Sequence, residues 1–130
     1  MRKILFADDE MDVRLMFEKR FTFEGYSVIT AYNGNQALSL AKSECPDVIV
    51  LDMVLGDKTG EEVALKLKED PKTRDIPVIF LSALFSKEDE VLKCDNLNGI
   101  CVFAKPYDAE ELLSRIEGLL DKKVSAAGKP

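Results

Sequence analysis

Two short runs of the chain, VIVL at 48–51 and PVIFL at 77–81, are apolar at every position. Successive side chains of a strand point to opposite faces, so a strand with one wet face alternates apolar and polar residues. A strand without polar positions has to be covered on both faces, as in a parallel sheet enclosed by helices. Residues 3–7, 27–31 and 100–104 read as three further strands. Pro77 suits the first position of its strand, where a missing N–H does little harm.

The segments between these runs have helical spacing. Val13, Met16, Phe17 and Phe21 recur at that period, as do Leu112, Leu113, Ile116, Leu119 and Leu120. Asn33 with Gln36, Thr59 with Glu62, and Asp108 with Glu111 each resemble a capping box, the Thr59 pair in its strict form. Gly25 closes the first helix. The resulting order is βαβαβαβαβα, a three-layer (βα)5 sandwich of the α/β class. Its fourth helix, within 86–93, is short and charged, with Val91 and Leu92 as its apolar pair. A chain of 130 residues is one domain by length. We place that domain at 1–121 and read 122–130, KKVSAAGKP without its apolar stripe, as a flexible tail or linker.

Several function classes drop out early. The chain has no His, which removes His-based triads, His-ligated zinc and a phosphohistidine role. Cys45, Cys94 and Cys101 form an odd set without CxxC spacing, so they read as reduced thiols and small apolar fillers. Lys plus Arg number 18 and Asp plus Glu 24, a formal charge of −6 that disfavours nucleic acid and anionic membrane as partners. No apolar run approaches the ~20 residues of a membrane span, and the N-terminus lacks a signal peptide's apolar stretch. The expected location is the cytoplasm.

The polar residues that end the strands carry the chemistry. Asp8 and Asp9 follow the first strand, Asp52 the third, Ser82 the fourth and Lys105 the fifth. In a parallel sheet all of these lie at the carboxyl edge, where open α/β sheets bind ligands. If the first and third strands are neighbours there, three carboxylates converge. At about 5 Å and an effective dielectric near 20, each pair repels by about 3 kcal/mol. One lysine offsets part of this, and a divalent cation is the simplest remaining source of positive charge. With oxygen ligands alone the ion is hard, so Mg²⁺ fits and Mn²⁺ can substitute.

The pattern ADDE after the first strand, LDMVLGDKTG over 51–60, LSA at 81–83 and KP at 105–106 resembles the receiver domain of two-component response regulators. The resemblance covers about residues 3–120 and implies a flavodoxin-like sheet of order 2-1-3-4-5. It implies that Asp52 is the phosphoacceptor, taking a phosphoryl group from a sensor histidine kinase or a phosphotransfer protein. Asp9 would bind Mg²⁺ directly, Asp8 mostly through water, and the Val54 carbonyl would be a further ligand. Ser82 and Lys105 would contact phosphoryl oxygens, with Ala83 beside them in the same switch group. The Lys105–Pro106 peptide would be cis. The output surface would combine the fourth helix, fifth strand and last helix, facing an output domain or protein partner, with a phosphorylation-dependent dimer as one form. Such a domain is a signalling switch and not an enzyme.

This chain departs from the commoner receiver pattern in several places. Val102 stands where an aromatic switch residue is usual, with Phe103 one place later. Gly56 replaces a frequent proline, and Cys101 a frequent aspartate of winged-helix regulators. Val54 and Leu84 flank the phosphoryl site with apolar side chains that cannot hydrogen-bond an attacking water, so slow self-dephosphorylation is expected. An aspartate-nucleophile phosphatase is the alternative, but that class wants a second acid two residues beyond the nucleophile, where Val54 sits. A flavodoxin-like electron carrier would want a Ser/Thr/Gly phosphate loop where Asp8-Asp9-Glu10 stands.

Overall fold

The computed structural model describes residues 2–82, 100–104 and 108–128, with side chains described in 2–82 and 108–121. The elements in chain order are β1 (Lys3–Ala7), α1 (Met11–Phe23), β2 (Ser27–Ala31), α2 (Gly34–Glu44), β3 (Val48–Asp52), α3 (Gly60–Glu69), β4 (Val78–Ser82), β5 (Ile100–Ala104) and a C-terminal helix (Ala109–Gly128). The fourth helix expected within 86–93 lies outside the described residues, as do Ala83, Leu84, Cys94, Lys105 and Pro106.

The sheet is parallel in every pairing and runs in the order β2-β1-β3-β4-β5. The two strands that carry the apolar runs, β3 and β4, lie inside it. Pro77 stands just before β4 rather than in it; it has no N–H to give, and its carbonyl accepts the Ile49 amide at 3.0 Å. At its other end β4 reaches one residue further than expected, to Ser82, and β3 likewise reaches Asp52.

Alternation along the strands divides the core in two. Leu5, Ala7, Ile49, Leu51, Val78 and Phe80 face α2 and α3, where Ala37, Ala41, Val63 and Leu67 are buried. Ile4, Phe6, Val48, Val50, Ile79 and Leu81 face α1 and the C-terminal helix, meeting Phe17, Phe21, Leu112, Ile116 and Leu120. Phe6 and Phe17 stack with ring centroids 4.0 Å apart, and Phe17 and Phe21 at 4.2 Å, so an aromatic ladder seats α1 on β1.

The caps follow the sequence signals. Asn33 Oδ1 accepts the Gln36 amide at 2.8 Å, and Thr59 and Glu62 form the full reciprocal box. Asp108 Oδ1 accepts the Glu110 and Glu111 amides at 2.9 and 3.4 Å. Gly25, at φ 99°, ends α1 as the left-handed residue of a Schellman turn, with the Tyr26 amide donating to Phe21 O at 3.1 Å.

Two expectations change. Met16 is 69% exposed: the buried stripe is Phe17 and Phe21 with half-buried Val13, and Met16 lies about 100° round the helix from Phe17. Cys45 is exposed rather than an apolar filler; at φ 47° it is the left-handed C-cap of α2, and buried Pro46 follows it. The C-terminal helix runs from Ala109 to Gly128, past the expected domain boundary at 121. Ala126 and Ala127 are strong helix formers, and a helix begun on a packed stripe propagates easily through them.

Candidate functional site

The carboxyl edge of the sheet is built by strand register. Ala7 on β1 is paired with Leu51 on β3, so Asp8 and Asp52 are each the next residue on adjacent strands. Asp52 is paired with Leu81 on β4, which puts Ser82 one step further along the third neighbouring strand. Ser82 in turn stands opposite Ala104 on β5. Three of the expected site residues, distant in sequence, thus end three contiguous strands.

Their surroundings differ. Asp8 is fully buried, Ser82 nearly so at 5% exposure, and Asp52 half-buried. The Asp8 amide continues the sheet ladder by donating to Ala31 O at 3.1 Å. Its side chain accepts the Glu10 amide at 2.9 Å, an Asx-type turn that bends the chain from β1 into α1. One turn into α1, Arg14 Nη1 donates to the Asp8 carbonyl at 2.8 Å and so ties the helix to the strand end.

The turn brings carboxylate oxygens of Asp8, Asp9 and Glu10 within 4.8 Å of one another. Asp52 is not one of that group. Glu10 is the acid that sequence reasoning passes over: the ADDE run shows it, but only the turn geometry places it beside the other two. The donor set is oxygen only, which fits a hard divalent ion.

Beyond Asp52 the chain turns tightly into α3. The Met53 amide donates to Leu81 O at 3.1 Å, and Gly60 N–H returns to Met53 O at 2.8 Å. Val54 forms an isolated antiparallel bridge with Thr59 and is 64% exposed. Lys105, Ala83 and the Lys105–Pro106 peptide fall outside the described residues.

Residues 4–117 match the family model described as the response regulator receiver domain. The chain belongs to that family. It is therefore a receiver domain of two-component signalling, a family of signalling proteins. Among curated relatives it is 38% identical over 136 residues to "Probable transcriptional regulator ycf27" of Pyropia yezoensis, covering 98% of this chain and 52% of that protein. It is 40% identical over 119 residues to "Response regulator PleD" of Caulobacter vibrioides, covering 90% of this chain and 26% of that one. The receiver thus spans about half the length of the first relative and about a quarter of the second. Among solved structures, the Francisella response regulator 1452 receiver domain aligns with TM-score 0.82 at 28% identity, covering 95% of this chain and 99% of that one. The chemotaxis response regulator CheY4 of Vibrio cholerae aligns at TM-score 0.79 and 28% identity, covering 92% and 98%. These likenesses fit the parallel α/β sheet described above. Among the described residues no helix is long and apolar enough to cross a membrane.

Proposed function

We propose that this receiver accepts a phosphoryl group on Asp52 and uses the resulting charge to change its surface. The register carries the reading: Asp8 and Asp52 are the next residues after the paired Ala7 and Leu51 on adjacent strands, with Ser82 on the strand beyond. A carboxylate oxygen of Asp52 attacks the phosphorus of a phosphohistidine on a sensor kinase or phosphotransfer protein. The P–N bond breaks and its electron pair stays on the imidazole nitrogen.

Asp8, Asp9, Asp52 and the Val54 carbonyl are the ligands we assign to Mg²⁺, with Mn²⁺ as a substitute. Bound there, the cation would screen the carboxylates and the phosphoryl oxygens from one another. Ser82 donates its hydroxyl to one phosphoryl oxygen and Lys105 pairs with another, with Ala83 assigned to the same switch group. A cis Lys105–Pro106 bond belongs to the same proposal. The added charge, about −1.5 to −2 at neutral pH, forces these dipoles to rearrange.

We assign the output to the surface of a helix at 86–93, β5 and the C-terminal helix, which completes a (βα)5 domain over 1–121 with 122–130 as linker. The partner there is an output domain or another protein, and a phosphorylation-dependent dimer is one form it can take. The setting is the cytoplasm. Acetyl phosphate with Mg²⁺ should label the protein and a chelator should stop the labelling. Turnover of free phosphoesters in place of a stable adduct would favour a phosphatase instead.

A further inference from the structure

The loop that carries Val54 is held from a distance by a side chain the phosphoryl chemistry does not use. Between β3 and α3 the chain folds into a small hairpin, with Leu55 N–H donating to Lys58 O at 3.1 Å and Gly56 turning at φ 84°. From its tip Asp57 reaches the start of α2, where Oδ1 accepts the Gly34 amide at 2.7 Å and Oδ2 the Asn35 amide at 3.0 Å. These are amides of a helix's first turn, which have no partner within the helix. A carboxylate there gains from two charge-assisted bonds and from the helix dipole.

The contact is not needed to start α2. Asn33 already caps that helix through the Gln36 amide, and Ala37 and Ala41 bury it against the sheet. What α2 gives the loop is a rigid mount. The approach is close enough to demand glycine: a Cβ on Gly34 would stand 2.9 Å from Lys58 Cβ and 3.1 Å from Asp57 Oδ1. Consistent with this, the Gly34 amide is the main cause holding the Asp57 carboxyl below its ordinary value, with the Asn35 amide and Lys58 acting in the same direction.

We propose that Asp57 is a positioning residue whose two bonds to the α2 amides fix the hairpin tip, and with it the Val54 carbonyl, for the divalent cation beside Asp52. The proposal rests on the phosphoacceptor reading above. Because Asp57 acts through the loop, its loss should weaken cation binding before any phosphoryl transfer takes place. An effect of its negative charge alone would make Asn and Ala equivalent at this position, whereas an Asn side chain can still accept the Gly34 amide.

The test is a titration of the unphosphorylated full chain with Mg²⁺ alone, followed by amide chemical shifts, with hydrogen exchange read at Gly34 and Asn35. Asp57→Ala should need about tenfold more Mg²⁺ than wild type and exchange both amides faster, with Asp57→Asn intermediate in both. The role is overturned if Asp57→Ala frees those amides yet binds Mg²⁺ as wild type does, or if the Asn and Ala variants bind alike. Should Asp57→Ala fail to fold, the Asn variant against wild type decides alone, and equal binding overturns the role. Absence of saturable Mg²⁺ binding in wild type would bring down the parent reading together with this one. Wild-type binding and labelling at Asp52, matched by Asp57→Ala, would remove only the positioning role.

Discussion

The carbonyl oxygen of Asp52 and the α-carbon of Gly60 approach so closely that a Cβ on Gly60 would lie 2.7 Å from that oxygen. The obstacle is backbone at the end of β3, not a side chain that could swing aside. Gly60→Ala should therefore push α3 away from the strand end, at a cost of about 1–3 kcal/mol. Urea unfolding measures that loss. Labelling by acetyl phosphate should slow in parallel, because the clash falls on the backbone of Asp52 itself.

Gly118 offers the opposite case. It lies inside the C-terminal helix, exposed, with nothing within 4 Å of the position a Cβ would take. Gly118→Ala removes backbone freedom from the unfolded chain without a clash. It should stabilise the domain by about 0.5–1 kcal/mol, read as a higher urea midpoint at unchanged slope. Labelling at the proposed site should not change.

Val54 stands two residues after Asp52 and is largely exposed, so its side chain can be replaced without disturbing the core. An apolar side chain there cannot orient an attacking water. Val54→Asn and Val54→Glu should shorten the lifetime of the phosphorylated protein, by about tenfold if one such interaction contributes about 1.4 kcal/mol to the transition state. The decay of labelled protein after removal of the phosphodonor gives the rate. Equal lifetimes in all three proteins would refute the assigned cause of slow dephosphorylation.

Acid unfolding should report on Asp70. Its carboxyl is held below the ordinary value of 3.8, first by the Lys72 amide and then by Lys42 and Lys72 charges, against an opposing contribution from desolvation. A depressed folded value means that the unfolded chain takes up the proton first as pH falls. The stabilisation is complete above the unfolded value and disappears as pH drops through the lower folded one. Asp70→Asn should unfold more readily than wild type near neutral pH, and the two urea midpoints should converge in acid once pH has fallen through the lowered folded value. A gap that stayed constant with pH would show that the side chain acts by shape rather than charge.

What could be read from residues alone follows the range of the forces involved. The interior strands were legible because burial on both faces leaves a continuous apolar run, as at 48–51 and 78–81. Thr59 and Glu62 were legible because a capping box closes over three residues. Asp8, Asp52 and Ser82 could be placed at one edge because each ends a strand. Met16 misled because a helical period fits several stripes, and only packing against Phe6 selects the one through Phe17. Cys45 misled because a left-handed cap has no marker when glycine does not supply it. Asp57 gave no local signal at all: its partners lie 23 and 22 residues away, and only the folded loop brings them within reach.

The most direct measurement is the mass of the protein after acetyl phosphate and Mg²⁺, taken for wild type and Asp52→Asn and followed by base treatment. A carboxylate nucleophile at the end of β3 predicts one added phosphoryl group on wild type, lost in base and absent from the variant. An unlabelled wild type, or a label that persists in Asp52→Asn, would contradict the role assigned to this edge of the sheet.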